Sequence, residues 1–114
     1  MAGNPVVRER MHWVLFEGLN TAIVLLDLLE TEEGLPAVLA NDFVRDRLRR
    51  EIAEWWQFAL AKLEVEPGRW IHELDASNAP SEGTWPGHPD AYHVAQMLLL
   101  PQIVGGPTFA AALR

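Results

Sequence analysis

The sequence predicts an all-α fold whose helices form two layers, as in a helical barrel. Within residues 14–29 the apolar side chains fall on nearly every side of a helix, and such a helix is buried from all directions. The next helical segment, residues 42–63, has one apolar and one charged face, so it can cover the first from outside. With 114 residues, the chain is long enough for one small domain with a modest core.

The first helix is predicted over residues 6–30. Pro5 suits its first turn, because an N–H group there would have no partner within the helix. Gly34 and Pro36 end the helix and form the turn that follows. Glu17 lies inside the apolar part of this helix, and a buried carboxylate needs a partner.

The second helix is predicted over residues 42–63, with Asn41 or Asp42 as its N-cap. Its apolar residues recur at steps of three and four, which is typical of an amphipathic helix. The other face mixes arginines with acidic residues. We interpret this mixture as a solvent-exposed face with salt bridges and not as a ligand site.

The rest of the chain is predicted to form a turn, a short extended segment, a loop and a third helix. The turn is residues 66–68, the extended segment is 69–74 and the loop is 75–87, where Asn, Ser, Gly and Pro are frequent. Pro89 suits the first turn of a helix over residues 89–100, and Pro101 is expected to end it.

Composition and charge exclude several classes of partner. The formal net charge of −7 and the pI of about 4.9 argue against nucleic acid and against an anionic membrane surface, because phosphate repels an acidic protein. The chain has no Cys, which excludes disulfides and thiolate chemistry. The first five residues do not resemble a signal peptide, and the apolar run 14–29 is short for a membrane span. We therefore expect a cytoplasmic protein without a membrane or nucleic-acid partner.

His93 is the first candidate for chemistry. Histidine exchanges protons near neutral pH, and this one follows the rigid Trp-Pro-Gly-His-Pro-Asp segment at the start of the third helix. A histidine on a mostly apolar helix can equally be a hydrogen-bonded core residue, and this alternative stays open.

A second candidate site lies on the first helix. Trp13 and Glu17 are four residues apart and His12 is adjacent, so the three can share one face. An aromatic ring beside a carboxylate is a common way to hold a sugar, because the ring covers C–H groups while the carboxylate accepts hydroxyl protons. The alternative is a core tryptophan with Glu17 paired to Arg8 or Arg10.

His72, His88, Asp90 and His93 are candidate metal ligands by residue type. His88 and His93 are five residues apart across a helix start, unlike the four-residue spacing that places two imidazoles on one helical face. We therefore expect no metal at this site, although a metal-binding protein is one alternative function.

Three segments near the end of the chain carry a family resemblance: residues 69–75 (RWIHELD), 78–80 (NAP) and 85–93 (WPGHPDAYH), followed by Gln96. Together with the upstream pattern His12-Trp13-x-x-x-Glu17, they resemble the N-acylglucosamine 2-epimerase superfamily. The branch of greatest similarity comprises the aldose–ketose isomerases that act on mannose or sulfoquinovose. The chain departs from the pattern at His88, where the family usually has Lys, and at Gly18, where it commonly has Ala.

The resemblance implies an (α/α)6 barrel, in which the first and third helices are inner and the second is outer. It also implies a reaction in which the sugar ring opens and histidines move protons through a cis-enediol. By motif match, His93 is one of two catalytic histidines. The residues expected to bind or lie near the sugar are His12, Trp13, Glu17, Trp85 and His88. No metal or organic cofactor is implied.

The resemblance covers only about the final quarter to third of a family member. Residues 1–114 are therefore expected to be a single partial domain, the C-terminal segment of the barrel, and to be inactive alone. An exposed apolar face is expected to drive self-association or binding of a partner chain that completes the barrel. The alternative from the same resemblance is an inactive helical interaction module.

Overall fold

Three helices form the framework of the residues that the structure describes. The computed structural model describes residues 8–31, 35–39, 41–81, 84 and 91–103. Helix α1 is His12–Thr31, α2 is Asp42–Phe58 and α3 is Ala91–Ile103. Helix α1 packs against both α2 and α3. The predicted helical class is confirmed, and short strands add to it.

Helix α1 begins at His12 and not at residue 6 as predicted. Residues Arg10–Met11 form strand β1, which pairs antiparallel with a strand at Glu73–Leu74. Because the backbone of β1 is extended and hydrogen-bonded to that strand, the helix can start only after it. The part of the prediction that falls on residues 6 and 7 lies outside the described residues.

Helix α1 is not buried on all sides, contrary to the sequence prediction. Phe16 and Leu19 are fully buried, whereas Val14 and Val24 are 55% and 50% exposed. Within the described part of the chain, α2 and α3 cover only part of its circumference. An apolar helix surface therefore remains open to solvent.

By length and composition alone, α1 could cross a membrane, because it has 20 residues and extends beyond the run 14–29 at both ends. The core helix of a soluble protein meets the same two criteria. Because α1 carries Glu17, Asn20 and Asp27 and packs on two other helices, we interpret it as a core helix.

Helix α2 follows the predicted boundaries. The Asn41 side chain accepts a hydrogen bond from the Val44 backbone N–H at 2.9 Å, which confirms the N-cap. The chain then continues through a π-helical turn, Ala59–Leu63, to the end of the predicted segment. The charged face carries the expected ion pairs, which are Arg45–Asp42, Arg49–Asp46, Arg47–Glu51 and Arg49–Glu30.

The close packing of α2 on α1 explains why position 18 is a glycine. A Cβ atom at this position would lie 3.1 Å from Cζ3 of Trp55 on α2. The glycine therefore lets the indole approach the α1 backbone closely, and this contact offsets the low helix propensity of glycine.

The predicted extended segment 69–74 divides between two small sheets. Strand β2 (Glu64–Glu66) and strand β3 (Arg69–Trp70) form an antiparallel hairpin, whereas β4 (Glu73–Leu74) pairs with β1. Gly68 in the hairpin turn has a φ of 82°, a conformation that favours glycine.

Helix α3 passes through Pro101 and ends at Ile103, so the prediction that Pro101 ends it was wrong. Proline has a helical φ, but it removes one N–H donor and its ring crowds the carbonyl four residues earlier. The helix accordingly runs on for only two residues after Pro101. Gln102 supports this end by donating from Nε2 to the Leu98 carbonyl at 3.1 Å. The predicted start at residue 89 lies outside the described residues.

The core lies where α1, the π-helical turn, α3 and the strands meet. Its buried apolar residues are Phe16, Leu19, Ala59, Leu63, Trp70, Leu74 and Met97. This cluster fixes the first turns of α1 relative to α3, and the candidate site is built on those turns.

Candidate active site

His12 stands at the junction of β1 and α1. Its backbone N–H donates to the His72 carbonyl at 2.9 Å, and its Nδ1 lies 3.0 Å from the same oxygen. Because a carbonyl oxygen only accepts hydrogen bonds, Nδ1 carries the proton in this contact. The imidazole is only 2% exposed and lies against the rings of Phe16 and His72. The side chain is therefore held rigidly by the main chain of the loop before β4.

His93 and Glu17 form the central contact of the site. Nδ1 of His93 on α3 lies 2.7 Å from Oε1 of Glu17 on α1. An ionised carboxylate can only accept hydrogen bonds, so Nδ1 is the protonated nitrogen in this contact. In the neutral imidazole, Nε2 then carries the lone pair. Glu17 therefore selects the tautomer in which Nε2 can act as a base.

Trp13 provides an apolar surface beside this pair. Its ring centroid lies 5.9 Å from that of His93, the two planes are inclined by 33°, and the Trp13 side chain is 46% exposed. The ring centroids of His12 and His93 are 6.4 Å apart. An indole face, a carboxylate and two imidazoles thus share one small region at the junction of α1 and α3.

Four of the six predicted site residues come together in this way: His12, Trp13, Glu17 and His93. The alternative in which Glu17 pairs with Arg8 or Arg10 is wrong, because its carboxylate contacts His93. Trp13 is half exposed and is not a core tryptophan. Trp85 and His88 lie outside the described residues.

Glu73 is a structural element of the site that the sequence analysis did not single out. Its carboxylate is 1% exposed and accepts hydrogen bonds from the Ser81 hydroxyl at 3.0 Å and the Thr84 backbone N–H at 3.1 Å. The Ser81 backbone N–H also donates to the Glu73 carbonyl at 2.9 Å. Glu73 therefore fastens the loop that leads toward residues 85–93. In the sequence Glu73 stands between His72 and Leu74, and its contacts with Ser81 and Thr84 leave no local signal there.

Asp75 organises the turn that follows β4. Its Oδ1 accepts from the Ser77 backbone N–H and hydroxyl at 2.7 and 2.6 Å and from the Ala79 N–H at 3.0 Å. Arg10 in β1 donates to the side chain of Asn78 in the same turn. The hydrogen bond from the Ser77 hydroxyl is the main cause that lowers the pKa of Asp75, with smaller contributions from the two backbone donors and the Arg10 charge. The turn thus closes against the strand that precedes His12.

The described residues contain no group of three His, Cys, Asp or Glu side chains arranged to hold a metal ion. Two of the three histidines of the alternative metal site, His72 and His93, belong to these residues. The imidazoles of the site form hydrogen bonds with other protein groups: His93 with the Glu17 carboxylate and His12 with the His72 carbonyl.

The fold and the site define a helical protein that presents a carboxylate-held histidine beside an exposed indole. A family model described as N-acylglucosamine 2-epimerase (GlcNAc 2-epimerase) matches residues 1–97, which is most of the chain. The chain belongs to the N-acylglucosamine 2-epimerase family, as the motifs predicted.

Two curated relatives are similar over nearly the whole chain. The D-mannose isomerase of Pseudomonas cannabina pv. alisalensis is 36% identical over 110 residues, which are 96% of this chain and 23% of the relative. The D-mannose isomerase of Thermobifida fusca is 37% identical over 111 residues, which are 96% of this chain and 24% of the relative. The chain thus spans about a quarter of the length of the curated relatives it matches.

Proposed function

We propose that this chain supplies one catalytic half of a sugar isomerase or 2-epimerase that interconverts an aldose and a ketose of the mannose–fructose type. The observation that carries the proposal is the 2.7 Å contact between His93 and Glu17 beside the exposed ring of Trp13. The family and the names of its two relatives support a sugar as the substrate.

In this proposal His93 is the general acid and base. Its Nε2 takes the proton from C2 of the open-chain aldose while the carbonyl oxygen at C1 gains a proton, which gives a cis-enediol. Delivery of a proton to C1 with loss of the proton on the C2 oxygen gives the ketose. Delivery of a proton to C2 from the other face with loss of the proton on the C1 oxygen gives the epimeric aldose. The imidazolium formed on the way is stabilised by the Glu17 carboxylate at 2.7 Å.

The remaining residues of the site bind and orient the sugar. The half-exposed indole of Trp13 can cover the C–H face of a sugar, and His12 forms a rigid wall next to it. Trp85 and His88 are proposed to complete the sugar site on motif grounds. The second catalytic histidine and further sugar contacts are proposed to belong to the part of the barrel that this chain does not span.

We further propose an (α/α)6 barrel as the complete fold, with α1 and α3 inner and α2 outer. The position of α1 between α2 and α3 supports this arrangement. So does the apolar surface of α1 and α3 that these residues leave exposed: Val24, Leu25, Leu28, Leu98 and Leu99 are 38–50% exposed. Additional helices of the barrel, in the same or another chain, would cover it.

A chimera tests the proposed reaction. The 114-residue chain replaces the homologous 111 residues of the Thermobifida fusca D-mannose isomerase, and conversion of D-mannose to fructose is measured. We expect the chimera to be active and the isolated chain to be inactive. His93→Asn should lower kcat at least about 100-fold, because general acid–base catalysis contributes that much. Gln102→Asn, at an exposed position of the same helix, is the matched control.

A folded chimera in which His93→Asn and the parent have equal activity would exclude His93 as the catalytic group. A folded but inactive chimera would favour the alternative, a helical interaction module that has kept the fold without the reaction. Turnover by the isolated chain that His93→Asn abolishes would show that no second half is needed.

The exposed apolar surface predicts self-association of the isolated chain. Sedimentation velocity should show dimers or larger species, and Leu28→Glu should shift them toward monomer. Val38→Glu is the control, because Val38 is 75% exposed in the turn between α1 and α2. A monodisperse monomer at all concentrations would contradict the proposed open face.

A further inference from the structure

A second pair of polar side chains lies beside the Glu17–His93 contact on the same two helices. Asn20 follows Glu17 by three residues on α1, and Gln96 follows His93 by three residues on α3. Residues three apart are neighbours on one helical face. Asn20 and Gln96 line one groove of about 440 Å³ together with Glu17. The two helices therefore carry consecutive polar pairs along one groove.

Asn20 is buried without a hydrogen bond. Asn20 is only 4% exposed, and neither Oδ1 nor Nδ2 of its side chain has a hydrogen-bond partner among the described residues. Oε1 of Gln96 is also buried and has no hydrogen-bond partner among the described residues. The other walls of the groove are mainly apolar, formed by Val24, Leu25, Leu28 and Leu100 with Thr21. A buried amide without partners is costly, so these groups indicate a ligand with matching donors and acceptors.

We propose that Asn20 and Gln96 form a subsite for the sugar hydroxyls remote from the reacting carbons, an inference that rests on the proposed function. An amide offers both a donor and an acceptor, which matches a hydroxyl group. A step of three residues advances about 4.5 Å along a helix. This is roughly the length of three carbon–carbon bonds. With C1 and C2 at His93, the hydroxyls at C4 to C6 reach this second pair.

The subsite gives the amides a role in specificity. A site that hydrogen-bonds a hydroxyl rejects an analogue without it, because its own buried polar groups then lose their partner. The enzyme should therefore discriminate between D-mannose and its deoxy analogues at C4 or C6.

Side-chain amide NMR on the isolated chain tests the subsite. The sequence contains four Asn and three Gln, so the side-chain NH2 signals are few enough to assign. Titration with D-mannose should shift the signals of Asn20 and Gln96 in a saturable way, together with the ring signals of His93. The exposed Gln57 and Gln102 should not respond. The 6-deoxy and 4-deoxy analogues should give smaller shifts.

Two variants add a readout that separates binding from a structural role. Asn20→Leu and Gln96→Leu should each raise the Kd for D-mannose about 3- to 10-fold, the effect of one lost hydrogen bond. Asn20→Leu should unfold at the same or a higher urea concentration, because it removes an unsatisfied buried amide. Gln102→Leu is the matched control and should keep the parent affinity, since its side chain contacts only its own helix among the described contacts.

The outcomes separate the subsite from the proposed function. Shifts at His93 without shifts at Asn20 and Gln96 would overturn the subsite and leave the proposed function standing. No response of Asn20, Gln96 or His93 to D-mannose would overturn the subsite, whereas the proposed function is decided by the activity of the chimera. Destabilisation by Asn20→Leu with unchanged mannose affinity would assign Asn20 a structural role in helix packing and overturn the subsite.

Discussion

The substitution Glu17→Gln tests whether Glu17 selects the tautomer of His93. The wild-type carboxylate can only accept the proton of Nδ1, at 2.7 Å, whereas the glutamine amide can either accept from Nδ1–H or donate to an unprotonated Nδ1. A hydrogen bond to a charged group contributes about 1.5–3 kcal/mol. Because the Glu17 and His93 side chains are 40% and 23% exposed, we take the lower end. About 1.5 kcal/mol corresponds to a tautomer preference of roughly tenfold.

The assay is the 15N shift of the two imidazole nitrogens, read at about pH 9, where histidine is ordinarily neutral. In the wild type we expect His93 to be protonated at Nδ1 by roughly tenfold over Nε2. In Glu17→Gln the two tautomers should be within about twofold, because the amide serves both. His12 is an internal control, since its Nδ1 contacts a backbone carbonyl that the substitution does not change.

A matched control is Glu30→Gln on the same helix. Glu30 pairs with Arg49 on α2 at 2.5 Å, so its replacement removes a carboxylate of α1 without touching the site. It should leave the tautomer ratio of His93 unchanged. If wild-type His93 carries its proton on Nε2, or if Glu17→Gln leaves the ratio at the wild-type value, Glu17 does not select the tautomer and the reasoning is refuted.

Substitutions at three further positions test how the site is supported. Glu73→Ala should lower the free energy of unfolding by about 3 kcal/mol and Glu73→Gln by about 1 kcal/mol. The loss is smaller for glutamine because its amide oxygen still accepts a hydrogen bond from Ser81. Equal losses of the two variants in urea unfolding would contradict this. The hydrogen bond from the Ser77 hydroxyl lowers the pKa of the Asp75 carboxyl in the folded protein. Ionised Asp75 therefore stabilises the fold above the unfolded-state pKa. This stabilisation is lost as the pH falls through the lower pKa of the folded state. The stability difference between wild type and Asp75→Asn should therefore be constant above about pH 5 and shrink below about pH 4, and a difference that grows in acid would argue against it. Gly68→Ala should lower the free energy of unfolding by about 1–2 kcal/mol, and Gly68→Asn should lower it less, because Asn tolerates a positive φ. The reverse order of the two variants in thermal unfolding would rule out backbone conformation as the cause.

The helices were predictable because their signals are local. The steps of three and four apolar residues in α2 and the Asn41 cap depend only on neighbouring residues, and both are confirmed. The start of α1 was not predictable in this way, since it depends on pairing between Arg10–Met11 and Glu73–Leu74, which are distant in sequence. The same holds for Glu73, whose burial depends on a loop that folds back onto its carboxylate.

The candidate site shows the same division between local and distant signals. The spacing of His12, Trp13 and Glu17 placed them on one helical face, and the rigid segment before α3 singled out His93. Neither pattern alone could indicate that Glu17 is the partner of His93, because the sequence leaves an arginine near Glu17 as an equally good partner. Only the packing of α3 on α1 decides between them. Pairing of a carboxylate on one helix with a histidine on another is a tertiary property.

The two histidines of the site are anchored differently, and the difference separates their roles. Both imidazoles contact an acceptor through Nδ1, but His12 contacts a neutral carbonyl oxygen while His93 contacts a carboxylate. A group that takes up a proton during a reaction becomes an imidazolium, and an ion-pair partner stabilises that charge far better than a neutral carbonyl does in a buried place. His12 is 2% exposed and would have to hold a charge away from water. Within the proposed function, the geometry therefore favours His93 as the residue that exchanges protons and His12 as a fixed wall beside it.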